Sequence, residues 1–235
     1  MIEALFELRF NCAASAASIF PGILYTKLDG ATVVEKLPAS ELPEQLRAVD
    51  PNLKFAALVR VIWKNFAFLI SDHSIAVACL LPYVGWTEFK PTILRIVGIL
   101  SETAIVETIE RYSLKYVDII PEEIGNAKSV VNLDLRIGHH DGIDNLFQVR
   151  SEINQNGFLH IIQIASSAAA VLQGGTRRCG TAVEVDTIVQ IGEVKFAKFL
   201  ETLDAKLELL HRANKETFFL CLKQEAIDML EPTYE

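Results

Sequence analysis

Residues 55–80 read FAALVRVIWKNFAFLISDHSIAVACL, and this stretch decides the fold class. Apolar, β-branched and aromatic side chains dominate it, and only Lys64-Asn65 and Ser71-Asp72-His73-Ser74 interrupt them. Both interruptions carry residues that suit tight turns, so the spacing predicts strands joined as an antiparallel meander.

Toward the N-terminus, Ile2, Ala4, Phe6, Leu8 and Phe10 alternate with Glu3, Glu7 and Arg9, the period of a half-buried strand. Phe20, Ile23, Leu24 and Leu28 predict a short helix with Pro21 near its start, where the missing N–H costs nothing; Asp29-Gly30 ends it. The segment from Leu37 to Asn52 carries Pro38, Pro43 and Pro51 and reads as a surface connection with one helical turn around Glu44 to Arg47.

Toward the C-terminus, Trp86, Phe89, Ile93, Ile96, Val97 and Leu100 follow helical spacing, with Gly85 or Thr87 placed to cap the start. A long strand is expected from Val106 to Ile120, with Tyr112, Leu114 and Tyr116 on one face and Arg111, Ser113 and Lys115 on the other. Leu133, Leu135 and Ile137 predict another strand. Phe147–Ile153 and Phe158–Ile164 follow as a hairpin across Asn154-Gln155-Asn156-Gly157, then a strand over Thr181–Ile191. Phe196, Leu200, Leu203, Leu207 and Leu210 mark an amphipathic helix, and Phe218, Phe219, Leu222, Ala226 and Leu230 a last one. The order predicts an α+β fold, a curved antiparallel sheet with packed helices. Residues 1–235 are expected as one domain, in which 1–120 and 121–235 suggest two similar halves.

The bulk composition narrows the function classes. With 51% apolar and 22% charged residues over 235 positions, the chain can bury a real core and is far from disordered compositions. A net charge of -8 makes the average surface repel phosphate backbones and anionic lipid, which disfavours nucleic-acid binding. Cys12, Cys79, Cys179 and Cys221 form no C-x-x-C pair and read as small buried hydrophobes in a reducing, cytoplasmic setting. The start Met-Ile-Glu-Ala-Leu-Phe-Glu lacks the basic region of a secretory signal. The stretch from Ile153 to Thr176 has no Asp, Glu, Lys or Arg, yet its Asn, Gln, His and Ser residues argue against a membrane span.

Four constellations could carry chemistry. Gly138-His139-His140-Asp141-Gly142-Ile143-Asp144 brings imidazoles and carboxylates into one turn, and His160 shares the register of Ile162 and Ile164 beside it; His139, His140, Asp141 and His160 form a candidate metal set. A solvated turn and a hydrogen-bonded structural histidine are the simpler readings. Gly174-Gly175-Thr176-Arg177-Arg178-Cys179-Gly180 could cradle an anion through Arg177 and Arg178, but it lacks the Lys-Ser/Thr ending of a phosphate-binding loop, and a glycine-rich hairpin loop is simpler. Tyr83, Trp86, Tyr112 and Tyr116 could offer stacking surface. Core is the plainer assignment, with Tyr112 and Tyr116 the aromatics most open to a partner, opposite Arg111 and Lys115. Glu122-Glu123 and Glu184 with Asp186 read as solvated faces.

Three segments resemble a sporadically distributed, functionally uncharacterised family of bacterial proteins of similar length. Glu3-Ala4-Leu5-Phe6-Glu7-Leu8-Arg9-Phe10 resembles its E-x-x-F-E-I-R-F starting strand. Arg111-Tyr112-Ser113-Leu114-Lys115-Tyr116-Val117-Asp118 resembles its R-x-G-L-R-Y-x-N strand, with Ser113, Lys115 and Asp118 departing from the pattern. Leu203 to Glu231 is similar to its closing helices. The resemblance transfers no catalytic residue, and implies a mobile-element, toxin–antitoxin or phage-defence setting.

Two function classes follow. One is a non-catalytic interaction or regulatory protein with a protein partner, whose acidic surface suits a basic effector. The other is an enzyme or small-ligand binder with a metal or phosphate site at the His139-His140 and Arg177-Arg178 loops. No motif calls for a cofactor. A homodimer through the leucine-striped terminal helices is a third expectation about partners.

Overall fold

The computed structural model describes residues 1–30, 32–51, 53–171, 175 and 177–230. Eleven strands are described: β1 Glu3–Cys12, β2 Thr32–Lys36, β3 Val59–Trp63, β4 Phe66–Ile70, β5 Ser74–Cys79, β6 Val106–Pro121, β7 Arg136–Ile137, β8 His140–Asp141, β9 Gln148–Gln155, β10 Phe158–Val171 and β11 Arg177–Lys195. The described helices are α1 Ala16–Lys27, α2 Glu44–Val49, α3 Trp86–Glu102, α4 Ala127–Val130, α5 Phe196–Leu200, α6 Leu203–Leu220 and α7 Gln224–Leu230. Nine strands form an open antiparallel sheet in the order β2-β3-β4-β5-β1-β6-β11-β10-β9, and β7 and β8 pair separately. The fold is α+β.

The chain divides into two compact units, each discontinuous in sequence: Leu5–Ser113 with Val189–Leu209, and Met1–Ala4 with Leu114–Ile188 and the chain from Leu210 onward. We call them the meander unit and the hairpin unit. Their boundaries fall inside β1, β6, β11 and α6, not at residue 120.

In the meander unit, β3, β4 and β5 turn at Lys64-Asn65 and at Ser71 to His73, with registers Trp63↔Phe66 and Ile70↔Ile75. Lys64 takes φ 51°, which the tight turn requires. Phe89 of α3 is fully buried and gathers Phe66, Tyr83 and Trp86 at ring-centroid distances of 6.2, 6.1 and 6.1 Å. Tyr83 and Trp86 thus pack on the core, in the offset and edge geometries that aromatic pairs prefer. Pro21 lies inside α1, which begins at Ala16, earlier than the apolar spacing alone predicts.

In the hairpin unit, β9 and β10 turn on Asn156-Gly157, with φ 52° and 83°. Those values suit a tight two-residue hairpin, so β9 runs to Gln155 and the expected four-residue loop shrinks to two. β10 then pairs with β11 from Leu159↔Ile188 to Val171↔Arg177, with a register shift between Ala165 and Ala168. Val183 and Val185 of β11, Ile164 of β10, Val130 of α4 and Ala226 of α7 are buried in one apolar cluster. Gly180 of β11 takes φ 154°, and a Cβ there would collide with the main chain of Ile120 on β6.

Two expectations about elements are corrected. Leu133 and Leu135 lie outside strands, and only Arg136–Ile137 is extended and paired, because Asn132 instead binds the end of α6 (N–H to Cys221 O, 2.8 Å). The last two helices also break elsewhere. Phe218 and Phe219 belong to α6, which ends at Leu220, and Leu222 is bridged to Val131 before α7 begins.

A candidate groove in the hairpin unit

The β9–β10 hairpin builds one wall of a cavity of about 290 Å³. Strand alternation puts Val149, Ser151, Ile153 and Gln155 of β9 on one face. The register Ile164↔Val149, Ile162↔Ser151 and His160↔Ile153 sets the β10 residues of that face directly opposite. Ser151, which stands between Val149 and Ile153, is the smallest side chain of the row.

The facing wall comes from Thr217, Leu220 and Cys221 at the end of α6 and from Asn132 and Leu133. Asn132 fixes these two segments to each other, since its side-chain Nδ2 also donates to Leu220 O at 3.4 Å. Ile153 is 42% exposed and Leu220 68% exposed, so the rim offers apolar surface to solvent.

A buried polar network closes the floor. Asn214 of α6 is 1% exposed and donates through Nδ2 to Leu114 O, Val185 O and Thr187 Oγ1, at 2.9, 2.9 and 3.0 Å. His160, 3% exposed, places Nδ1 3.0 Å from Thr187 Oγ1 and 3.3 Å from Thr217 Oγ1. The Thr217 hydroxyl donates to Ala213 O at 2.8 Å, so its oxygen meets Nδ1 as an acceptor. Nδ1 is thus shared between the Thr187 and Thr217 hydroxyls. Burial holds the His160 imidazole below its ordinary pKa, so the ring is neutral at pH 7. Burial likewise pushes the Cys221 thiol up to about 11, far from thiolate at neutral pH.

Among the described residues that line it, the groove carries no carboxylate, lysine or arginine. Its chemistry is that of an apolar receptor with a few neutral hydrogen-bonding groups: Asn132, Ser151, Gln155, His160 and Thr217.

The residues singled out from sequence fall in different places. His139 in the β7–β8 turn and His140 and Asp141 on β8 are exposed, and Asp141 Oδ2 lies 3.7 Å from Lys128 Nζ. His160 is buried on β10, and among the described residues no group of three His, Cys, Asp or Glu side chains is placed to hold a metal ion. The four therefore do not come together. Arg177 and Arg178 are exposed at the start of β11, while Gly174 and Thr176 of the same glycine-rich segment lie outside the described residues.

Tyr112 and Tyr116, expected as the aromatics most open to a partner, are 5% and 7% exposed. The alternation of β6 turns them inward, Tyr112 onto Phe199 at 5.4 Å in the meander unit and Tyr116 onto His211 at 6.0 Å in the hairpin unit. Arg111 and Lys115 are half-buried, Arg111 3.5 Å from Glu7 and Lys115 2.5 Å from Glu3. Burial works against the Lys115 charge, but Glu3, with Glu184 and Asp186 nearby, outweighs it and raises the ammonium pKa. The two tyrosines are core, and each of the two cations is paired with a carboxylate of its own unit.

Sequence reasoning found His160 through its β10 register but missed Ser151, Thr217 and Leu220. The one available signal was a serine between Val149 and Ile153 in an alternating row. No known family model matches the chain, and no curated protein matches it.

Proposed function

We propose that the protein is a non-catalytic interaction module whose hairpin-unit groove takes an apolar segment of a protein partner. The observation that carries this reading is the groove itself, a cavity of about 290 Å³ in which Val, Ile and Leu make up half of the lining residues, with an exposed apolar rim at Ile153 and Leu220. A neutral imidazole and a protonated thiol give it no activated nucleophile, while its neutral polar groups can orient a bound main chain. The net charge of -8 suits a basic partner, whose approach it accelerates. A toxin–antitoxin or phage-defence setting is supported only by the resemblance of the starting strand, the central strand and the closing helices.

Leu220→Arg tests the reading, because Leu220 is 68% exposed and its replacement spares the core. Tagged wild-type and variant proteins are purified at near-physiological salt and their stoichiometric partners compared. The reading expects a partner held by the wild type and lost from a variant with an unchanged circular dichroism spectrum. Retention of every partner by the variant excludes the groove as the docking site.

A further inference from the structure

We infer that β9 is a homodimerisation strand, pairing antiparallel with β9 of a second copy about a two-fold axis through Ser151. The strand is terminal in the sheet order, and its continuous register with β10 contains no bulge. It contains no proline over Gln148–Gln155, so it lacks two of the devices by which edge strands avoid pairing.

The direction of its free main-chain groups follows from the turn. In a two-residue hairpin on Asn156-Gly157 the flanking pair Gln155 and Phe158 is hydrogen-bonded, and every second pair after it. Ile153, Ser151 and Val149 therefore spend their N–H and C=O groups on β10. Gln148, Arg150, Glu152 and Asn154 aim theirs outward, where among the described residues no further strand accepts them.

The side chains choose the occupant and the register. With Ser151 opposite its own copy, Arg150 stands opposite Glu152 of the second copy and Gln148 opposite Asn154, each a pair with outward main-chain groups able to exchange both hydrogen bonds. On the groove face Val149 meets Ile153, which is 42% exposed in the single chain. Sliding the strands by one pleat in either direction sets Arg150 against Arg150 or Glu152 against Glu152. Only one in-phase register near the centre is thus free of like charges, and it is self-complementary, the condition for an isologous interface. In the single chain Arg150 and Glu152 are about half exposed and pair with each other along the strand at 2.6 Å, leaving both able to turn outward to a second copy.

The test is charge reversal read by sedimentation of the intact protein. The wild type should reach twice the chain mass as concentration rises. Arg150→Glu and Glu152→Arg each set like charges opposite one another twice, and each should weaken dimerisation on the order of tenfold or more. An equimolar mixture of the two single variants should restore the dimer, as should the double variant Arg150→Glu with Glu152→Arg. A wild type that stays monomeric to high micromolar concentration overturns the proposal. So do single variants that dimerise as the wild type does, or a mixture that fails to associate. Partner capture in the groove is read separately by Leu220→Arg, which leaves the β9 edge unchanged.

Discussion

His160 and Thr187 stand directly opposite each other on β10 and β11, and their side chains meet at 3.0 Å, Nδ1 to Oγ1. Thr187 is fully buried and also accepts from Asn214, so one hydroxyl joins the imidazole to a helix amide. The pair ties the imidazole that lines the groove to the helix amide behind it through uncharged groups.

That neutrality has a pH signature. The folded-state pKa of His160 lies below its ordinary value of 6.5, so below that pH the unfolded chain binds a proton that the folded chain resists. Stability should therefore fall as pH drops from 7 through the window below 6.5. Thermal melts at pH 7 and pH 5, compared between wild type and His160→Gln, should show a smaller acid loss in the variant. The variant should itself cost about 1–3 kcal/mol at pH 7 from the disturbed network.

Gly180 should tolerate no side chain. Its φ of 154° disfavours L-residues and its Cα faces the Ile120 main chain, so Gly180→Ala combines backbone strain with a collision. A loss of roughly 3 kcal/mol is expected in urea unfolding. Gly157, with φ 83° but nothing within 4 Å of an added Cβ, should lose only about 1 kcal/mol on the same change.

Cys221 should be inert while the protein is folded. With its thiol pushed up to about 11, the thiolate fraction at pH 8 is minute, and the side chain is only 8% exposed. Iodoacetamide at pH 8 should leave Cys221 unmodified in peptide mass spectra of the native protein and label it fully in urea.

Ser151 should be a site where stability and binding separate. Ser151→Val adds apolar surface to the groove-lining row between Val149 and Ile153. It should raise unfolding free energy by about 0.5–1 kcal/mol, since β-branched residues also favour strands. The same methyl groups occupy groove volume, so partner capture should weaken in the more stable protein.

The local periods of this chain were legible because each element carries its own signal. The turns at Lys64-Asn65 and Asn156-Gly157 punctuate runs whose alternation marks strands, and α3 announces itself by Phe89, Ile93, Ile96 and Leu100. The inward aim of His160 was equally readable from its register with Ile162 and Ile164. The end of α6 was not, because Phe218 to Leu230 keeps an apolar spacing across a break that Asn132 and Val131 impose through tertiary hydrogen bonds.

What the sequence alone determined is thus the α+β class, the antiparallel pairing of neighbouring runs and the face on which each strand residue lies, since these depend on side-chain period and turn chemistry within a few residues. Only the tertiary structure decided that Tyr112 and Tyr116 are core, that His139 and His160 are apart, and that Ser151, Thr217 and Leu220 share a groove. Those relations join residues tens of positions apart, and they are set by strand register and by where a helix ends against the sheet, neither of which leaves a local trace in the chain.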